Sequence, residues 1–105
     1  MYRYDGLELQ DEEGAVLFMV IERFRSQDAA AVYRRFAAEG RMMPEGLTFV
    51  DSWVEASNAR CFQLIESDDV TAIQRWVARW QDLVEFEVVP VAPGKQTAAA
   101  LTPTE

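Results

Sequence analysis

At 105 residues, half of them hydrophobic, the chain is long enough to bury one core and too short for two. A formal net charge of −8 argues against nucleic acid and anionic membrane surfaces as partners, since affinity for both comes from Lys and Arg neutralising phosphate. The sequence holds no histidine, which removes Ser-His-Asp and Cys-His catalysis, His-ligated zinc and histidine-ligated haem within one chain.

Residues 1–14, MYRYDGLELQDEEG, are charged and without sustained period, and form a polar N-terminal extension; Tyr2, Tyr4, Leu7 and Leu9 leave a case for an extra edge strand. AVLFMVIERF, residues 15–24, is a continuous apolar run rich in branched and aromatic side chains. Such a run marks a strand covered on both faces, central in its sheet. In SQDAAAVYRRFAAEG the period changes: Ala29, Val32, Tyr33 and Phe36 share one helical face, Ser26 or Asp28 can cap the start, and Gly40 can end it. RMMPEG then breaks the helix through Pro44 and Gly46.

LTFVDSWVEA and RCFQLIE read as two strands of a hairpin turned by SNA. After them Ser67 or Asp68 can cap a second helix, whose apolar stripe is Val70, Ile73, Trp76, Val77 and Trp80. LVEFEVVPV, residues 83–91, is the last strand, and Pro90 places it at an edge. Residues 93–105 carry no patterned apolar face and read as a flexible C-terminal tail, leaving 15–92 as the domain.

The order β-α-β-β-α-β predicts an α+β fold, the ferredoxin-like plait: a four-stranded antiparallel sheet with two helices on one face. With a hairpin loop at Ser57 to Ala59, Trp53 pairs with Gln63 and Asp51 with Ile65, which puts Phe49, Asp51, Trp53, Cys61, Gln63 and Ile65 on the helix-free face. Ser52 and Val54 then face the helices. So apolar a helix-free face predicts a homodimer through it, with polar groups lining an enclosed site for a small, partly apolar molecule.

The strings LFMVIERF, GRMMPEGL, VDSWV, RCFQLIE and WQDLVEFEVVPV resemble a group of small bacterial proteins, domain-of-unknown-function family 3303, over roughly residues 16–91. The resemblance implies a ferredoxin-like domain similar to the dimeric α/β-barrel superfamily, which includes small monooxygenases, haem-degrading enzymes and ligand-binding stress proteins. It implies no catalytic residues. Both terminal segments fall outside it.

Asp51, a carboxylate beside apolar and aromatic groups, is suited to act as a general base or cation ligand; its structural reading is an ion pair with Arg41 or with an Arg of another protomer. Trp53 offers a stacking wall, against packing in a dimer. Gln63 joins them as a pocket-lining group, and Arg41, following a helix C-terminus, stands at the rim, where it can also meet an anion. Glu22 and Arg60 are expected to form an ion pair, whose functional reading is a charged pocket rim, and Trp76 and Trp80 to be core. Cys61 reads as a buried, inert thiol in preference to a nucleophile.

No Gly-rich phosphate loop, Cys pair or EF-hand spacing occurs in the sequence, so neither metal nor cofactor is expected. A single cysteine, no secretory leader pattern and no apolar run near the roughly 20 residues of a bilayer span predict a cytoplasmic, non-membrane protein. Two functions remain open: a small-molecule-binding domain, including a cofactor-independent monooxygenase-like enzyme, and a non-catalytic homodimerisation or protein-interaction module.

Overall fold

The computed structural model describes residues 14–103. Apart from Gly14, the N-terminal extension and its suggested edge strand lie outside the described residues.

β1 (Val16–Phe24) pairs antiparallel with β3 (Arg60–Ser67) on one side and β4 (Val84–Val91) on the other. β2 (Thr48–Val54) completes a four-stranded sheet of order β2-β3-β1-β4. The apolar run therefore lies inside the sheet, and Pro90, which donates no ladder hydrogen bond, sits on an edge strand. α1 (Ala29–Glu39) and α2 (Val70–Trp80) connect the strands as the plait requires. The fold is the expected α+β, ferredoxin-like arrangement.

Local chemistry explains where the helices begin and end. Asp28 accepts from the Ala31 N–H at 3.0 Å and caps α1, while Gly40, at φ +70°, ends it in a conformation that a side chain would strain. At α2 the cap is Asp69, not Ser67 or Asp68: its Oδ1 accepts from the backbone N–H groups of Thr71 and Ala72. Ser67 is engaged elsewhere, donating its hydroxyl to the Gly46 carbonyl at 2.7 Å and accepting from Asp69 N at 2.9 Å.

The core lies between the sheet and the helices. Phe18, Val20 and Phe24 of β1, Cys61 and Ile65 of β3 and Val84 of β4 meet Val32 of α1 and Ile73, Trp76 and Trp80 of α2. Val20, Ile65 and Val84 are almost wholly buried, each worth roughly 1.5–3 kcal/mol of transfer free energy. Val70, placed on the helix stripe from its spacing, is instead 58% exposed at the first turn of α2. Leu17 and Leu64, which face away from α1 and α2, are buried as well. Both faces of β1 thus use their apolar character.

The hairpin register differs from the expected one by one residue. Trp53 pairs with Phe62, Ser52 with Gln63 and Val54 with Cys61. The cause is the turn: Glu55 N–H bonds the Arg60 carbonyl at 2.9 Å, and Asn58, at φ +63°, lies in a connection, residues 56–59, one residue longer than the expected loop of 57–59. Further along, Phe49 pairs with Ile65 but Asp51 with Leu64, so Val50 is the extra residue of a bulge. Phe49 therefore faces the helices while Asp51 and Trp53 face away from them.

Beyond β4, α3 (Gly94–Leu101) occupies the segment expected to be a tail without structure. All of its residues are exposed, which accounts for the missing sequence signal: a helix that buries no face needs no apolar stripe.

Candidate ligand-binding pocket

Strand parity collects an unusual set of side chains under α1. Glu22 of β1 pairs with Cys61 of β3 and Phe86 of β4, next to the pair Val20–Gln63. Ser52 of β2 pairs with Gln63 on the same side. These polar groups, Glu22, Ser52, Cys61 and Gln63, form the floor of a cavity of about 130 Å³ between sheet and helices. Its walls are Phe24, Val32, Trp76 and Trp80, with Tyr33 and Phe36 of α1 at the exposed side. Arg41 enters it from the connection between α1 and β2.

Three of the polar side chains form a chain. Arg41 Nε donates to Gln63 Oε1 at 3.2 Å, and Gln63 Nε2 donates to Glu22 Oε2 at 2.7 Å. Having both a donor and an acceptor partner fixes which end of the Gln63 amide faces each neighbour. The Arg41 guanidinium carbon lies 3.7 Å from the ring centre of Phe49 and 5.2 Å from that of Phe36, a cation held against two aromatic faces. Nε is thereby committed, whereas the Nη hydrogens of Arg41 have no protein acceptor among the described residues.

The backbone at Arg41 is held just as firmly. Its carbonyl accepts from the indole N–H groups of both Trp76 and Trp80, each at 2.9 Å, and Arg79 Nη1 donates to the next carbonyl, that of Met42, at 2.7 Å. Trp76 and Trp80 are core residues as their spacing predicts, and they also line the pocket and latch its entrance loop to α2.

The titration behaviour follows from burial. Glu22, 6% exposed, has its pKa pushed up from 4.5 to about 7: desolvation dominates, and the Gln63 hydrogen bond and the Arg41 charge only partly offset it. Burial likewise pushes the Cys61 thiol up to about 12, with the nearby Glu22 carboxylate adding to the effect and Arg41 opposing it. Tyr33 is shifted upward, first by desolvation and then by Cys61 and Glu22. A carboxyl that exchanges its proton near neutrality can serve as acid or base. A thiol held protonated is not a nucleophile at neutral pH.

The four residues singled out from sequence are split between the two sheet faces. Arg41 and Gln63 belong to this pocket; Asp51 and Trp53 lie on the helix-free face, opposite Leu64 and Phe62. Asp51 does not pair with Arg41. Its Oδ1 accepts from the Ser52 N–H at 2.8 Å, satisfying a donor beside the bulge. Trp53 is 42% exposed. The expected Glu22–Arg60 ion pair is also absent: Glu22 points to the helices, while Arg60 binds Glu55 at 2.8 Å and covers Phe62. Glu22, which the sequence suggests for a charged pocket rim paired with Arg60, lies instead buried on the pocket floor. Its signal was parity, because Phe18, Val20, Glu22 and Phe24 share one face and the other three are core.

Among the described residues, no group of three or more His, Cys, Asp or Glu side chains could hold a metal ion. No helix among them is long and apolar enough to cross a membrane. No curated protein and no solved structure matches the chain. The model of the family described as a domain of unknown function, DUF3303, matches residues 16–105, so that the match reaches past the resemblance at 16–91 and includes α3. The chain belongs to that family.

Proposed function

We propose that this domain binds a small, partly apolar molecule in the pocket between the sheet and α1, with Glu22 as the group that exchanges a proton with it. The supporting observation is the Arg41–Gln63–Glu22 chain ending on a buried carboxyl at a cavity of about 130 Å³. Polar groups converging on an otherwise apolar, aromatic-walled cavity are the usual composition of a ligand site. Structural packing alone would favour an apolar residue at position 22, since a buried carboxyl carries a desolvation penalty. A monooxygenase-like reaction on the bound molecule would draw on Glu22 as proton acceptor, because Cys61 holds its proton and the sequence contains no histidine.

Native mass spectrometry of untagged protein tests this reading. The expected result is a retained small molecule that is lost on Ser52→Trp, which fills the cavity from β2. Retention of the same molecule by Ser52→Trp would place it elsewhere.

A second reading concerns the helix-free face, where Met19, Ile21 and Phe62 are half-buried beside the exposed Trp53. An apolar row on a small domain favours self-association through that face. Sedimentation of Phe62→Arg against the parent chain checks it: a dimer requires the parent to sediment faster and the variant to lose the concentration dependence.

A further inference from the structure

The nature of the occupant follows from the charges that line the pocket, and it rests on the binding reading above. Arg41 is clamped by Phe49 and by its Nε bond to Gln63, with Nη hydrogens unclaimed by any protein acceptor among the described residues. A fixed guanidinium fork is matched by a planar carboxylate. The Gln63 carboxamide already spans the interval from Arg41 to Glu22 with its oxygen on one and its nitrogen on the other. A carboxylate has the same planar size and can lie alongside it between the same two residues.

Such a ligand brings a second carboxyl next to the buried Glu22, and two carboxylates side by side in a desolvated position resist ionising together. One proton shared between them removes the conflict. It also answers the overall charge of −8, whose field repels an anion but not an anion taken up together with a proton. The cavity limits the rest of the molecule to no more than one ring: at about 130 Å³ it is somewhat smaller than the roughly 150 Å³ apolar cavity known to accept benzene, and its exposed side at Tyr33 and Phe36 leaves room for the ring's far edge. We infer that the pocket binds a ring-sized monocarboxylate of the benzoate class, its oxygens between Arg41 and Glu22, with uptake of one proton.

The groups facing Glu22 are consistent with a single shared proton. Cys61 and Gln63 face it from β3, Phe86 from β4, Arg41 from the loop after α1 and Tyr33 from α1, while α2 contributes Trp76 and Trp80 to the same cavity. Arg41 is the charged one among them at neutral pH, because the Cys61 thiol is pushed up to about 12 and the Tyr33 phenol is raised further above its ordinary value of 10.

Benzoate, benzyl alcohol and benzylamine carry one ring and three head groups. Each is titrated calorimetrically into the full chain in two buffers of different ionisation heat, with the Trp76 and Trp80 indole N–H resonances reporting occupancy of the site. Benzoate is expected to bind tightest, with nearly one proton taken up at pH 8 and almost none at pH 5.5. Its dissociation constant should rise about tenfold per pH unit above neutrality. Glu22→Gln, whose amide mimics the protonated acid, should bind benzoate independently of pH and more tightly than the parent at pH 8. Arg41→Gln, checked for an unchanged circular dichroism spectrum, should lose the preference for benzoate.

Benzoate affinity that stays flat from pH 6 to 9, proton release on binding, or tighter binding of either other probe overturns the carboxylate assignment while leaving the pocket reading intact. Failure of all three probes to move either indole resonance overturns both.

Discussion

Glu22→Gln is expected to uncouple folding from pH over the interval in which the buried carboxyl titrates. In the unfolded chain Glu22 loses its proton near 4.5, and in the folded protein it keeps it until about 7. Between those values the folded state binds more protons, so stability is full below 4.5, falls as pH rises and levels off above 7. At about 1.4 kcal/mol per pH unit, the interval amounts to roughly 3 kcal/mol. Urea unfolding followed by tryptophan fluorescence, at a series of pH values from 4.5 to 8, gives the stability of parent and variant. Their difference cancels the titration of the other carboxylates and should drift by roughly 3 kcal/mol in favour of Gln across the series. Parallel curves, or a drift favouring Glu, would refute the assignment of Glu22 as a desolvated acid.

Other substitutions probe neighbouring parts of the structure. Alkylation of Cys61 by iodoacetamide at pH 8 should be slower than in urea by about three orders of magnitude, given the depleted thiolate; equal rates would show an accessible, ionised thiol. Asp51→Ala removes the acceptor for the Ser52 N–H and should destabilise the protein by about 0.5–1.5 kcal/mol in urea melts. It should leave the Trp76 and Trp80 indole resonances in place, whereas a shift in them would tie Asp51 to the pocket. Trp76→Phe keeps a ring in the core but deletes one of two donors to the Arg41 carbonyl, an expected loss of about 1–3 kcal/mol. The Trp80 indole proton should then exchange faster with solvent if the loop has loosened, and at the parent rate if it has not.

Much of the architecture could be read from the sequence because single elements declare themselves. The apolar run from Val16 to Ile21 marks a central strand, and Ile73, Trp76 and Trp80 at helical spacing mark the buried side of α2. The hairpin did not declare its register. That depends on Asn58 adopting a left-handed conformation and on the bulge at Val50, two backbone choices made in the folded context. One misplaced residue in the turn was enough to move Gln63 and Cys61 to the wrong face. The sequence marks Arg41 and Gln63 as pocket residues but groups them with Asp51 and Trp53, which the register sends to the opposite side. At Glu22 chemistry and periodicity conflict: a carboxylate at a strand end suggests an ion pair, whereas its parity with Phe18, Val20 and Phe24 points inward. The cap of α2 at Asp69 was obscured by three consecutive residues, Ser67, Asp68 and Asp69, all able to cap.

Both indole donors of α2 address a main-chain oxygen at position 41. Whatever side chain stands there, the oxygen remains, so the attachment of the loop to the helix is indifferent to the residue whose head group reaches the cavity. Scaffold and selectivity are therefore separable at this position. A change from Arg41 to a neutral or acidic residue would alter which molecule is welcome without releasing the loop that carries it. One backbone can in this way serve as a common frame for pockets of different charge.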